Sequence, residues 1–261
     1  MKFNKEKLDF KKNNHFIFLA KYNDLFSLKV KVKIDIDDLL GIDEQKKILI
    51  NNTDFFLKNK KSNNILLWGE RGMGKSTLIK CVVKYFNDLK KNLYIVEILN
   101  KDIESLPEII YFLNKVDKKF LIFIDDLSID STDNKFKLFK SMIEGSFLSE
   151  SENIKFYITS NLRHISHRNI EKSDDLLELE GKNNLISLSD RFGSWIGFHN
   201  FNKTQYLLIV DYYINKYSVN KKNSKIIHNL AMEWSIEKGN LSGRTAFQFV
   251  KNLIINSGIK N

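Results

Sequence analysis

The fourteen residues Asn64-Ile65-Leu66-Leu67-Trp68-Gly69-Glu70-Arg71-Gly72-Met73-Gly74-Lys75-Ser76-Thr77 restrict what the rest of the chain can fold into. A short apolar run ends in a glycine-rich turn, and a helical pattern, Leu78-Ile79-Lys80-Cys81-Val82-Val83, follows at once. The spacing Gly69-x4-Gly74-Lys75-Ser76 is a P-loop. Glycines let the backbone curl around phosphate oxygens where a Cβ would clash. The loop N–H groups and the start of the following helix together form an anion site. Lys75 is placed to reach β- and γ-phosphates, and the Ser76 hydroxyl to complete a Mg²⁺ coordination sphere. Residues Gly69 to Thr77 are therefore the expected nucleotide-binding segment, with ATP and Mg²⁺ as cofactors.

A P-loop requires a sheet, and the chain supplies strands in order. Leu93–Ile98 follows the P-loop helix, and a helical stretch from Leu106 to Leu113 carries the only proline, Pro107, in its first turn, where proline is tolerated. Phe120-Leu121-Ile122-Phe123-Ile124 is a continuous apolar run, as expected for a strand buried on both faces of a parallel sheet. It ends in Asp125-Asp126, where ligands bind in open α/β sheets. This reads as a Walker B motif, with Asp125 on the metal beside Ser76 and Asp126 orienting the attacking water. A helix is expected from Asp133 to Gly145, then a fourth strand, Ile154–Thr159, running into Thr159-Ser160-Asn161. Those small polar groups are placed to reach a γ-phosphate or the lytic water. Leu185–Gly193 reads as a short helix stopped by glycine, and Trp195–Phe198 as a fifth strand.

From Thr204 the pattern is helical throughout, over 204–217, 224–238 and 242–257. Before the P-loop, Phe26–Ile34 alternates like a strand with one wet face. A helix from Glu44 to Lys58 follows, either packing on the sheet or serving the adenine ring, and Ile42 just before it is counted with the nucleotide-binding residues. The expected organisation is an N-terminal segment of unknown role (1–38), an α/β core with a parallel five-stranded sheet (39–200) and a helical lid (201–261).

Composition narrows the setting. The 43% hydrophobic content is ample for a packed core. No apolar run approaches the length of a membrane span, and His15–Ala20 is too short for a signal peptide. Cys81 is the single cysteine, which excludes an internal disulfide and fits a reducing cytoplasm. The net charge of +10 fits an anionic partner such as nucleic acid, but lysine, asparagine and isoleucine abound throughout, as an AT-biased coding sequence produces. Against that bias the five arginines, Arg71, Arg163, Arg168, Arg191 and Arg244, are informative, because arginine survives where a planar, bidentate fork is needed. All five fall beside loops at strand ends or helix starts.

With this ordered set the chain resembles the AAA+ ATPases. Asn161 matches the sensor 1 position, Arg191 in Asp-Arg-Phe-Gly the arginine finger, and Arg244 in Ser-Gly-Arg the sensor 2 arginine. The segments Leu66–Ser76, Asp125–Ser128, Thr159–His164, Ser187–Gly193 and Ser242–Val250 are similar to the family catalogued as domain of unknown function 815. The resemblance covers roughly residues 36–255. It implies a P-loop ATPase in which Asp126, Asn161, Arg191 and Arg244 are catalytic and a homo-oligomeric ring supplies Arg191 in trans. The client, protein or nucleic acid, is not implied. The family more often has a small residue at Met73, and Asp126 is shorter than the commoner AAA+ glutamate. A nucleotide-gated binding module on DNA or RNA with slow hydrolysis is the alternative, and a small-molecule kinase a third class. Arg191 as a local ion pair, Arg244 as a helix contact and Asn161 as a turn residue are the plain structural alternatives. Trp68, Trp195 and Trp234 are expected as core or interface aromatics.

Overall fold

The computed structural model describes residues 8–29, 32–127, 134–145, 151–161, 192–218 and 224–256. Five apolar segments form the expected parallel strands: β3 (Asn64–Gly69), β4 (Leu93–Ile98), β5 (Lys119–Ile124), β6 (Ile154–Thr159) and β7 (Gly193–Phe198). The sheet is wider than the expected five. β1 (His15–Leu19) pairs parallel with β4, and β2 (Asp24–Ser27) pairs antiparallel with β1, giving the order β2-β1-β4-β5-β6-β3-β7. The strand expected over 26–34 is therefore displaced. β2 ends at Ser27, and the apolar run at residues 15–19 is a strand in its own right. The physical reason is burial, since Phe16 and Phe18 are 1% and 0% exposed in a strand flanked on both sides.

Each strand's alternation feeds two apolar layers. On one face Leu67, Ile95, Phe123, Tyr157 and Phe198 pack with helices α1 (Asp43–Leu57) and α2 (Lys75–Asp88). On the other, Leu66, Val96, Ile122 and Ile158 pack with α3 (Leu106–Asn114) and α4 (Asn134–Gly145). The C-terminal helices α5 (Lys203–Lys216), α6 (Ser224–Glu237) and α7 (Gly243–Asn256) fall close to their expected spans. Their buried residues, among them Tyr206, Val210, Ala246 and Val250, continue the first layer. Asn202 caps α5 through a reciprocal box with Gln205. Trp234 packs against this layer. The helix read over 185–193 lies outside the described residues except for Phe192, which is helical, and Gly193, which opens β7.

A buried polar knot fixes α1 on the sheet. The Tyr157 hydroxyl, in a fully buried residue, lies 2.7 Å from Thr53 Oγ1 and accepts from Asn52 Nδ2 at 3.0 Å. Thr53 in turn donates to Leu49 O at 2.7 Å. Burial pushes the tyrosine's pKa up to about 12, so it stays a neutral donor across the physiological range. Tyr157→Phe takes one of two acceptors from the Asn52 amide, which keeps Asn63 O at 2.9 Å, and strands a buried Thr53 lone pair, so it should lower unfolding free energy by about 1–2 kcal/mol in urea titrations with an unchanged m-value.

Candidate functional site

The turn from β3 to α2 is held where side chains cannot go. Gly69 has φ +117°, and a Cβ there would lie 2.1 Å from the backbone oxygen of Phe198, the last residue of the neighbouring β7. That oxygen accepts from Glu70 N–H at 2.9 Å, so strand and loop are stitched where they must approach most closely. Gly72 (φ +81°) faces Ser242 and Arg244 at the start of α7, and its carbonyl accepts from Arg244 N–H at 3.1 Å. The loop is thus gripped by the sheet on one side and by the C-terminal helices on the other.

Inside the turn Lys75 is 5% exposed. Its ammonium donates to the carbonyls of Gly69 and Glu70, each at 2.7 Å, and to Asn161 Oδ1 at 3.0 Å. Burial lowers its pKa to about 8, the nearby Asp126 and Asp125 carboxylates oppose that fall, and Arg244 adds to it. At the end of β5, Asp125 Oδ1 accepts from Ser76 Oγ at 2.5 Å and from Thr159 Oγ1 at 2.6 Å. Thr159 Oγ1 also accepts from Asp126 N–H at 2.8 Å. Asp126 stands in the left-handed region (φ +54°), which swings its carboxylate onto the Asn161 amide. Asn161 therefore bridges Lys75 and Asp126.

A cleft of about 470 Å³ opens in front of these groups. Arg71 to Thr77, Asp125, Asp126, Thr159, Asn161 and Arg244 line its polar end. Gly69 and Glu70 serve the loop from behind, through their carbonyls. The other end is apolar: Ile34, Leu39 and Ile42 come from the segment before α1, and Ile209, Tyr213 and Phe247 from α5 and α7. The sequence points to Ile42 but not to the others, because helical periodicity marks a buried face without saying whether core or ligand covers it. In the sequence Thr159 is one of several small polar residues, and its place between two carboxylate positions follows from the geometry. Arg163, Arg168 and Arg191 lie outside the described residues.

The residues fit a nucleotide with its metal. The Ser76 hydroxyl and Asp125 carboxylate are a hard oxygen pair at the mouth of a loop whose glycines leave room for phosphate. Among the described residues no group of three or more His, Cys, Asp or Glu could hold a metal alone. The Ser76–Asp125 pair by itself suits Mg²⁺, which takes one or two protein ligands and draws the rest from phosphates and water.

The model of the family described as "Protein of unknown function (DUF815)" matches residues 11–257. The chain belongs to the DUF815 family. Over 84 residues this DUF815 chain is 31% identical to the ORC1-type DNA replication protein 14 of Haloarcula marismortui, which covers 31% of the chain and 20% of that protein. In structure it is similar to the RuvB Holliday junction branch migration motor of Thermotoga maritima, with a TM-score of 0.52 and 16% identity over 86% of this chain and 66% of that one. It is also similar to the Aeropyrum pernix Orc1 protein solved in complex with DNA, with a TM-score of 0.58 and 13% identity over 87% and 65%. The chain thus spans a fifth of the curated relative's length and just under two thirds of each solved chain. The DUF815 chain shares the α/β fold of these two solved chains, built here on a mostly parallel seven-stranded sheet.

Because Thr159 is 2% exposed and its hydroxyl joins Asp125 to the Asp126 backbone, Thr159→Val leaves both short of a partner. It should cost about 1–3 kcal/mol of stability in denaturant titrations. Thr159→Ser, which keeps the hydroxyl, should recover most of that loss.

Proposed function

We propose that this protein binds Mg·ATP in the cleft and hydrolyses it. The observation that supports this best is the chain of contacts from Lys75 through Asn161 to Asp126, next to the Ser76–Asp125–Thr159 cluster. Three segments distant in sequence, the start of α2, the end of β5 and the end of β6, converge there at the C-terminal edge of the sheet.

The base and ribose occupy the apolar end between Leu39, Ile42, Ile209 and Tyr213, and the phosphates lie in the turn. Lys75 exchanges its carbonyl partners for phosphate oxygens and carries the positive charge that phosphoryl transfer requires. Ser76 and Asp125 would hold Mg²⁺, which would supply neutralisation of the phosphate charge. Asp126 accepts a hydrogen bond from the attacking water and fixes its line of approach. Asn161 donates to Asp126 and so sets the orientation of that carboxylate. Arg244, on the first turn of α7, adds charge from the lid side of the cleft. Arg191 rests on the resemblance alone, as the finger that a neighbouring subunit contributes in a homo-oligomeric ring. The energy drives remodelling of a protein or nucleic-acid client. A second reading, nucleotide-gated binding to DNA or RNA with slow turnover, is favoured by one observation: Asp126 is already engaged by Asn161, and its reach is short.

Asp126→Asn should keep nucleotide affinity in calorimetry while phosphate release falls by about a hundredfold or more. Lys75→Ala should abolish binding. If Asp126→Asn releases phosphate at the wild-type rate, Asp126 does not position the water. The pH profile gives a separate check. Lys75 must be protonated to meet phosphate, and burial holds its pKa at about 8, so Mg·ATP affinity should fall by about tenfold between pH 7 and 9. Binding at pH 8 should also take up protons, seen as a dependence of the calorimetric heat on buffer ionisation enthalpy.

A further inference from the structure

Residues 1–33 contain nine lysines against three acidic residues, which places +6 of the net +10 in an eighth of the chain. The remaining 228 residues carry only +4. A uniform drift toward lysine spreads charge evenly and does not concentrate it in this way. The described part of this segment forms the β2–β1 edge of the sheet, five positions from β3 in strand order.

The strand register divides the hairpin into two faces. Phe16, Phe18 and Leu25 turn into the core, while Phe26, opposite Ile17 on the other face, is 39% exposed. Tyr22, in the turn between the strands, is 60% exposed. The Tyr22 and Phe26 rings meet edge-on with centroids 5.5 Å apart, and Lys21 Nζ lies 5.5 Å from the Tyr22 centroid. Lys11, Lys12 and Lys29 are also exposed, Lys12 beside Asp9 at 3.6 Å. Two aromatic rings left in water among lysines match the recognition chemistry of single-stranded nucleic acid, whose unstacked bases offer π-faces to rings while its phosphates meet ammonium groups. A duplex keeps those base faces stacked inside. A second copy of the chain would bring two edges of the same sign together, which costs energy.

We propose that the β1–β2 hairpin is a docking surface for single-stranded nucleic acid, with Tyr22 and Phe26 stacking bases and Lys11, Lys21 and Lys29 meeting phosphates. No residue of the nucleotide cleft takes part, so this surface stands or falls apart from the ATPase reading.

The test is fluorescence anisotropy of labelled oligo(dT) and oligo(U) against salt, with phosphate release and thermal unfolding of every variant measured alongside. Wild-type protein should bind both oligomers at low salt, more tightly than it binds a duplex of equal length. Tyr22→Leu with Phe26→Leu keeps apolar area but removes the rings, and should weaken binding by about tenfold at fixed salt with turnover and melting unchanged. Lys21→Gln should make the log–log salt slope shallower by about 0.7. The proposal is overturned by oligomer binding that the leucine pair leaves intact, by no binding at low salt, or by a preference for duplex. It is equally overturned if the hairpin substitutions alter only self-association or adhesion to anionic lipid vesicles.

Discussion

The close approach of Gly69 to the Phe198 carbonyl is the constraint on which the site depends. A side chain at 69 would occupy the position of that oxygen, so the loop closes against β7 only because residue 69 has none. From this contact the chain turns through Gly72 and Gly74, both at positive φ, and α2 starts with Lys75 pointing back into the turn. At Gly72 the same turn meets Ser242 and Arg244, so the first turn of α7 is seated on the phosphate loop itself. Sheet and C-terminal helices are positioned by one stretch of backbone, so a displacement of either reaches the loop.

A buried cation and two carboxylates share a small volume here, and their hydrogen bonds define a division of labour. Asp125 is held by two hydroxyls, one from α2 and one from β6. Neither hydroxyl carries a counter-charge. Asp126 is held by an amide that also touches Lys75. Asn161 thus joins the lysine inside the loop to the carboxylate that follows β5. Its position at the end of β6, beside β3 and β5, is what allows one side chain to reach both.

The parts of this arrangement legible in the sequence are those set by local chemistry. The P-loop is contiguous, and the Asp125-Asp126 pair is announced by the apolar strand before it. The interior strands β4, β5 and β6 are doubly buried and so read as unbroken apolar runs. What escaped the sequence depends on pairings between distant segments. β1 is an apolar run too, yet nothing local says that residues 15–19 add to the sheet beside β4 rather than to some other surface. The alternation Leu28-Lys29-Val30-Lys31-Val32 suggested a longer strand than β2, but pairing with β1 stops at Ser27. Thr159 looked like one small polar residue among three, and only the arrival of β5 alongside β6 gives its hydroxyl two neighbours to join.

The apolar end of the cleft carries the coupling further. Asp38, just before Leu39 and Ile42, is 6% exposed and accepts from Tyr212 Oη and Lys216 Nζ on α5. Burial alone would raise the Asp38 pKa, but those two donors and the Asp35 N–H more than offset it, so the carboxyl stays ionised and the contact charged. Tyr213, adjacent to Tyr212, lines the cleft, as do Asp38 and Leu39. One ion pair thus joins the two pieces of chain that form opposite walls of the apolar pocket. A base wedged between Leu39 and Tyr213 would press on a joint already closed by charge, so the walls cannot part without separating a buried carboxylate from its ammonium. Residues 35–42 and α5 are therefore held as one unit around the apolar part of the cleft.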